Sequence, residues 1–430
     1  MSFKKRTITA LGVLAIIGAS ALLLSGCSSA STPAPSASST DPATMTGTVR
    51  ILMEDVPDSD IVKSLIPDFN KVYPHVKVSI EKLVYDQMRD KLVASFQAPT
   101  PSYDLIVVDN SWMTDFVDAG FLQPADDRIK ATPNYDPADF FTSLTDITKV
   151  NKVRYGVPFY NYALGYIYNS ELVKPNEVPT TLDGLVKLSQ KITTPTMAGL
   201  AMQPQTGYKI MEEWTNFLYS AGGSIYTGSG KANLDTPEAK NALNKYIELY
   251  KTAAPKNSLN WAFDDAFRSV SSGSSAAMVS YNWNLAALNK DGSGPYAGKF
   301  KLAPMPGEKS ALGSWTWSVP TNSGSPDASW AFASWITSKA VDVKRVVAGG
   351  AAIRASTMKD PAVLTDAYGA DYYSTVTKIL SNAAPLTEGA NGDEMIQSVG
   401  EQLNNAVAGT KSVDDALKAA NDAIKTIQKR

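Results

Sequence analysis

Polar and aromatic side chains follow a short apolar run in the first third of the chain. Asp109, Asn110 and Trp112 come directly after residues 103–108 (YDLIVV), a run typical of a fully buried parallel strand. Open α/β sheets bind ligands in loops at the carboxyl ends of strands. A carboxylate and an amide pair with hydroxyl groups, and an indole covers an apolar C–H face. We predict that these three residues contact a hydroxylated ligand; the alternative is that Asp109 or Ser111 only caps the next helix.

Two adjacent acids lie at the end of the first predicted strand, residues 48–53 (TVRILM). Glu54 and Asp55 follow that strand directly. They could accept hydrogen bonds from ligand hydroxyls or cap the turn that follows. The sequence leaves both interpretations open.

Residues for acid–base, nucleophilic or metal chemistry are scarce. Adjacent acids at residues 264–265 and 414–415 are candidates for a hydrolase, but neighbours on a helix point about 100° apart and do not converge. His75 is the only histidine and is predicted to lie in a solvated turn. Triads and histidine-based metal sites therefore have almost no residues to use, and we predict no catalytic residue, metal or cofactor.

The N-terminus has the pattern of an export signal. Three cations at residues 4–6 precede an apolar run at residues 8–24, which ends on Leu24-Ser25-Gly26-Cys27. A membrane-spanning helix is the alternative for this run, although it is short and lacks a basic stop-transfer cluster. The last four residues resemble the lipobox of bacterial lipoproteins, which implies cleavage after residue 26 and a diacylglycerol on Cys27, the only cysteine.

Composition predicts a tether followed by two domains. Residues 27–46 consist almost entirely of Ser, Thr, Ala and Pro and cannot bury a core, so we predict a flexible linker. Without residues 1–26 the chain has 37 basic and 42 acidic residues. Nucleic acid is therefore not an expected partner. The remaining chain is longer than one hydrophobic core usually supports, so we predict two domains.

Alternating strand and helix patterns predict an α/β fold. Strand patterns at residues 48–53, 76–80 and 103–108 are separated by helical patterns at residues 59–72 and 86–96. The remainder is richer in helix, with patterns at 212–221, 236–252, 327–337, 368–381 and 412–427. Short strands are predicted at 276–280, 301–305 and 316–319. Ser412 and Asp415 form an approximate capping box.

Seven segments in chain order resemble the solute-binding proteins of ABC importers, specifically the carbohydrate branch that includes maltose-binding protein. They are YDLIVVD (103–109) with AGFLQP (119–124), YGVPF (155–159) with IYN (167–169), SAGG (220–223), SSAAMVSYNW (274–283), GSW (313–315), GGAAIRAS (349–356) and GTKSVDDAL (409–417). The resemblance covers essentially everything after the linker.

The resemblance implies a two-lobed, type II periplasmic-binding-protein fold with three crossovers between the lobes. The implied first lobe contains residues 47–159 and 307–352, and the second contains residues 160–306 and 353–430. It also implies that a sugar or polyol binds between the lobes and passes to the permease of a membrane ABC transporter. The protein would then be a non-enzymatic, lipid-anchored monomer outside the cytoplasm.

The same resemblance assigns further ligand contacts. Trp283 corresponds to a stacking tryptophan of the family, and a core tryptophan is the alternative. Tyr162 takes the position of the family's carboxylate contact. Trp315 is preferred over Trp317 for the cleft. Tyr160 lies at the first crossover, where ligand contacts and hinge residues coincide. Arg354 could bridge two ligand hydroxyls or pair with a surface acid. Tyr208 and Glu212 are further candidates from the second lobe.

Three alternatives remain. A ferric-ion-binding protein of the same general fold would use neighbouring tyrosines such as Tyr372 and Tyr373, although their helical spacing favours a core role. A surface glycan hydrolase and a sensory or adhesive lipoprotein are the other two.

Overall fold

The computed structural model describes residues 41–366 and 368–429, and its secondary structure alternates strands with helices. The strands are β1 (Thr46–Glu54), β2 (His75–Leu83), β3 (Leu105–Asp109), β4 (Lys149–Val150), β5 (Val153–Arg154), β6 (Val157–Asn169), β7 (Ala277–Tyr281), β8 (Phe300–Ala303), β9 (Ser310–Ser318) and β10 (Ala383–Pro385). The helices are α1 (Pro57–Val72), α2 (Tyr85–Gln97), α3 (Asn110–Asp118), α4 (Asp126–Ala131), α5 (Thr142–Asp146), α6 (Leu182–Ile192), α7 (Tyr208–Ser220), α8 (Pro237–Thr252), α9 (Phe263–Ser271), α10 (Asn284–Asn289), α11 (Pro326–Ile336), α12 (Lys339–Val347), α13 (Pro361–Leu364), α14 (Gly369–Ser381), α15 (Gly392–Val407) and α16 (Val413–Ile427).

One mixed sheet connects most of the strands. Its order is β2-β1-β3-β9-β6-β7, with β8 paired to β6 and β10 paired to β9. The β1–β2 and β1–β3 pairs are parallel, as the strand–helix–strand pattern predicted, whereas β9 is antiparallel to β3 and β6. All 13 residues of β6 are buried. Because the first part of β6 pairs with β9 and its second part pairs with β7 and β8, it joins β2, β1, β3 and β9 to β7 and β8.

Two apolar cores lie along this sheet. One includes Val49 and Ile51 of β1 and Leu105 of β3. The other includes Trp214 and Phe217, packed among α7, α8, α15 and α16. The described chain thus has two clusters of buried apolar residues, and the predicted division into two domains stays a prediction.

Local sequence signals agree with most elements. The N-cap half of the predicted capping box is present at the start of α16, because Ser412 Oγ accepts a hydrogen bond from the Asp415 backbone N–H at 3.1 Å; the Asp415 carboxylate accepts from the Ser412 hydroxyl at 2.7 Å. Pro67 lies inside α1 without ending it. Helices α6, α12 and α15 were not predicted, although buried residues recur at helical spacing in each of them.

The last residues of the predicted linker belong to the fold. Met45 is buried and Thr46 begins β1, although the linker was predicted to extend to residue 46. The predicted signal peptide, Cys27 and most of the linker lie outside the described residues. No helix in residues 41–366 or 368–429 has the length and apolar composition that crossing a membrane requires.

Candidate functional site

Ends of strands and starts of helices converge on a cleft of about 370 Å³. Strands β1, β3 and β7 end at the cleft, helices α2, α7 and α9 begin there, and β6 and β9 pass beneath it. Its volume falls in the range of small-molecule sites, about 300–1,000 Å³. The lining residues are Glu54, Asp55, Val56, Val84, Tyr85, Asp86, Asp109, Tyr162, Tyr208, Lys209, Ala262, Phe263, Asp264, Tyr281, Trp283, Gly313 and Trp315.

Seven of the 17 residues that line the cleft are aromatic. Trp315 of β9 lies nearly perpendicular to Tyr85, with ring centroids 5.9 Å apart. On another side, Tyr281 and Trp283 lie 6.4 Å apart with nearly parallel rings, and Phe263 packs 5.4 Å from Trp283. Rings held by neighbouring rings lose little side-chain entropy when a ligand packs on them.

Glu54 supplies a carboxylate from the end of β1. Tyr160 of β6 donates a hydrogen bond to Glu54 Oε2 at 2.5 Å. Burial raises the pKa of Glu54 to about 7, and the nearby charges of Asp109 and Glu212 add to this rise. The hydrogen bond from Tyr160 and the charge of Lys209 oppose it.

Asp109 has two roles at the end of β3. Its Oδ1 accepts from the backbone N–H of Ser111 at 2.8 Å and from the Ser111 hydroxyl at 2.5 Å, so it caps α3 as the alternative interpretation expected. It also lines the cleft. Burial raises its pKa to about 6, although both hydrogen bonds from Ser111 favour the ionised form.

Glu212 lies on α7 immediately behind two tyrosines of the cleft wall. Its Oε1 accepts hydrogen bonds from the hydroxyl of Tyr208, at 3.2 Å, and from the hydroxyl of Tyr281. Burial raises its pKa, opposed by Lys209 and by the two phenols. Glu54, Asp109 and Glu212 are hereafter called the cleft acids.

The structure brings together seven of the twelve residues predicted to contact a ligand. These are Glu54, Asp55, Asp109, Tyr162, Tyr208, Trp283 and Trp315. Three others support the lining: Glu212 and Tyr160 through the hydrogen bonds above, and Trp112 by packing 5.4 Å from Trp315. Their roles as ligand contacts stay predictions.

Two of the twelve lie elsewhere. Asn110, the first residue of α3, lines a neighbouring cavity of about 420 Å³ whose lining has no aromatic residue. Arg354 requires a correction, since its side chain is 0% exposed. Its guanidinium donates to the backbone carbonyls of Tyr135, Asp136 and Thr337, so it fastens the fold and does not line the cleft.

Trp317 lies outside the cleft lining, as expected. It packs 4.4 Å from Phe159 and 6.1 Å from Phe332 within the first core. Trp315 and Trp317 are two residues apart on β9, a spacing that places side chains on one face of a strand. Only Trp315 lines the cleft, because the cleft lies over the part of β9 that contains Trp315.

Sequence reasoning missed six lining residues with polar or aromatic side chains. They are Tyr85, Asp86, Lys209, Phe263, Asp264 and Tyr281. The first five lie at the starts of α2, α7 and α9, and Tyr281 ends β7. The available signal was the position of each residue at an element boundary, because connections between elements carry most binding residues.

Residues behind the alternative hypotheses have other contacts. Asp265 caps α9 and pairs with Arg268, while Asp414 pairs with Lys240 at 3.0 Å. Tyr372 accepts from Asn282 at 3.0 Å, and Tyr373 donates to Asp366. Within the described residues, no group of three or more His, Cys, Asp or Glu side chains could hold a metal ion.

Comparison with known proteins identifies relatives across the described chain. The family model "Bacterial extracellular solute-binding protein" matches residues 55–343. A protein of Sinorhizobium fredii named "Probable amino-acid ABC transporter periplasmic-binding protein" is 22% identical over 99% of this chain and 98% of its own length.

Two solved structures share the fold. An ABC transporter solute-binding protein from Thermotoga lettingae bound to α-D-tagatose has a TM-score of 0.79 and 25% identity, over 89% of this chain and 100% of its own. One from Agrobacterium radiobacter in complex with ribitol has a TM-score of 0.78 and 23% identity, over 88% and 98% of the two chains. The predicted fold class, a type II periplasmic-binding-protein fold, is confirmed by this likeness.

Proposed function

The chain belongs to the bacterial extracellular solute-binding proteins, and we propose that it captures a sugar or polyol outside the cytoplasm and passes it to a membrane ABC transporter. The observation that carries this proposal is the cleft, which combines aromatic plates with carboxylates held by hydroxyl donors. Rings match the C–H faces of a sugar, and carboxylate oxygens match its hydroxyl groups. The tagatose and ribitol complexes of similar proteins support the same ligand class.

An amino acid, suggested by the name of the Sinorhizobium fredii relative, fits this cleft less well. An α-carboxylate needs a cation or several N–H donors, and arginine is its usual partner. Lys209 is the single cation in the cleft lining, where it is outnumbered by acids. We therefore favour a hydroxylated ligand.

We infer that two lobes close around the ligand, with bounds at residues 47–159 plus 307–352 and 160–306 plus 353–430. Rings on opposite sides of the cleft already approach each other, with Tyr85 of α2 and Tyr208 of α7 5.2 Å apart. Closure would exclude water and strengthen the polar contacts. The ligand would leave unchanged, because the protein would act as a monomeric binding protein and not as an enzyme.

A lipid anchor would hold this monomer at the membrane after removal of residues 1–26. The proposal rests on the lipobox-like residues 24–27. Replacement of Cys27 by Ser is expected to release the protein from the membrane fraction into the medium. Retention of the variant at wild-type level would contradict the anchor.

A panel of sugars and polyols tests the binding function. The full chain is expected to gain about 2.7 kcal/mol of stability when a true ligand is present at 100 times its dissociation constant. Thermal unfolding measures this gain, and mass spectrometry of the released ligand checks that it is unaltered. Free amino acids serve as the competing class. Stabilisation by amino acids alone, or chemical conversion of the ligand, would refute the proposal.

A further inference from the structure

Charge in the cleft is strongly one-sided. Of the lining residues, five are acids and one, Lys209, is a cation. Asp55 is paired outside the cleft with Lys82, 2.7 Å away. Asp86 and Asp264 are exposed, so water screens them. The buried part of the imbalance therefore comes from Glu54 and Asp109, with Glu212 behind them.

The three cleft acids share one bonding pattern. Hydroxyl groups satisfy Oε2 of Glu54 and Oε1 of Glu212, and Ser111 satisfies Oδ1 of Asp109. No residue of the described chain donates to the second oxygen of any of them, and no Lys or Arg nitrogen there lies within 4.0 Å. Hydroxyl donors fix these carboxylates in place without a direct ion pair. Lys209 is the one nearby cation that lowers the pKa of Glu54 and Glu212, so three acids share a single positive charge.

Aromatic faces in the cleft also suit a cation. Rings attract ammonium groups positioned within about 6 Å of the centroid, most strongly when water is excluded. The protein shows this contact itself, because Lys209 Nζ lies 5.2 Å from the ring centroid of Tyr208. Trp283, Tyr281 and Trp315 offer further rings in the same lining.

We infer that the preferred ligand carries a protonated amino group beside its hydroxyls, as an amino sugar or amino polyol does. This inference rests on the proposed function and narrows its ligand class. The hydroxyls of a neutral sugar can donate to the carboxylates, but a neutral sugar leaves their charge uncompensated in a desolvated cleft. An ammonium group supplies both the missing donors and the missing charge.

The raised pKa values of two cleft acids agree with a preference for a cationic ligand. Burial raises the pKa of Glu54 to about 7 and that of Asp109 to about 6, so the cleft without a cation resists holding both negative charges. A bound ammonium would lower both pKa values. Acids, phenols and one amine face Glu54 and Asp109. The acids are Asp55, Asp86, Glu212, Asp264 and Asp393, the phenols are Tyr85, Tyr160, Tyr162, Tyr208 and Tyr281, and the amine is Lys209.

Matched ligand pairs test the inference on the full chain. The pairs are D-glucosamine with D-glucose, 1-amino-1-deoxysorbitol with sorbitol, and the chitosan disaccharide with cellobiose. The members of each pair differ mainly in amino groups that replace hydroxyls. Binding affinities from calorimetry at pH 7 therefore compare a charged ligand with a neutral one of nearly the same shape. We expect the amine of at least one pair to bind about tenfold more tightly than its neutral partner.

The outcomes separate the inference from the function on which it rests. Neutral members binding as tightly as the amines, or more tightly, would overturn the inference and leave the sugar or polyol function standing. Failure of every amine to bind, while a neutral sugar or polyol of the wider panel does bind, would overturn the inference alone, and failure of the whole panel would overturn both. Binding of the amine and its N-acetyl derivative with equal affinity would also overturn the inference, because acetylation removes the charge.

A variant that removes the charge of one cleft acid tests whether that acid causes the preference for an amine. Glu54→Gln retains an oxygen that can accept from Tyr160 but removes the charge, so its preference for the amine over the neutral partner should fall about tenfold. Glu401→Gln, at an exposed position of α15, should leave the preference unchanged. An undiminished preference in both Glu54→Gln and Asp109→Asn would overturn the inference.

Discussion

The carboxylates of Asp58 and Asp342 accept hydrogen bonds at every oxygen, whereas each cleft acid accepts at one oxygen only. Arg345 donates to Asp58 at 2.8 Å and to Asp342 at 3.0 Å. Backbone amides at Ala351, Ile353 and Arg354, with the hydroxyls of Tyr162 and Thr357, satisfy the other positions. Asp58, Asp342 and Arg345 are called the Arg345 cluster below.

Burial raises the pKa of the acids in both groups, and the compensation differs. In the Arg345 cluster, a guanidinium with 0% side-chain exposure lies between the two acids. In the cleft, only neutral hydroxyls and amides hold the acids. The Arg345 cluster, with a full set of donors and a counter-ion, fastens the fold, while Glu54 and Asp109 keep an open oxygen and line the cleft, where a ligand can reach them. An open oxygen alone does not mark a ligand contact, because Glu213 of α7 is buried, keeps Oε1 without a hydrogen-bond partner and lies outside the cleft lining.

The largest expected effect is the loss of the cation in the Arg345 cluster. Arg345→Met should reduce the free energy of unfolding by about 3–5 kcal/mol, because two buried carboxylates lose their counter-ion. Urea unfolding at pH 7 measures the loss. The triple variant Asp58→Asn, Asp342→Asn, Arg345→Met should recover most of it. A loss below about 1 kcal/mol in the single variant would show that the cluster does not stabilise the fold in this way.

Removal of a cleft ring should affect binding more than folding. Trp283→Ala is expected to weaken ligand binding by about 1–3 kcal/mol, because the stacking surface is lost. Unfolding should stay cooperative. Tyr250→Ala, at a partly exposed position of α8 outside the cleft lining, is the matched control and should bind normally. Unchanged affinity of the Trp283 variant would remove this residue from the site.

Two replacements of Asp109 separate its roles. Asp109→Asn keeps an oxygen that can cap α3, so it should retain stability but bind the ligand more weakly. Asp109→Ala should lose about 1 kcal/mol of stability in addition, because the cap is lost. Chemical denaturation and calorimetry on both variants measure the two effects. Equal stability of the variants would show that the cap contributes nothing.

The smallest expected effect is on the pH dependence of stability without ligand. The pKa of Glu54 rises on folding from 4.5 to about 7, chiefly because of burial. Between these values the folded state keeps a proton that the unfolded state has lost, so Glu54 makes stability fall as pH rises from about 4.5 to 7. Glu54→Gln should flatten this slope in part, since Asp109 acts in the same direction. Slopes identical to that of Glu401→Gln would contradict the raised pKa.

Sequence patterns predicted much of the fold and about half of the cleft lining that has polar or aromatic side chains. The apolar runs of β1 and β3, the alternation in β2 and the helical spacing of α8 and α16 arise from local burial, so they can be predicted from the sequence alone. Asp109 and Trp315 were predicted by their place after a strand and by a family motif, respectively. Tyr85 and Tyr281 were missed although each lies at an element boundary, because that signal marks many positions and does not single out these two.

The chain by itself determined its elements, its shortage of catalytic residue types and the aromatic and acidic side chains at its loops, because these depend on residue type and short-range spacing. Only the tertiary structure decided that Arg354 bonds backbone carbonyls while Glu54 keeps one oxygen open. The physical reason is that a charged group takes its role from the donors and acceptors around it, and folding brings those together from distant parts of the sequence.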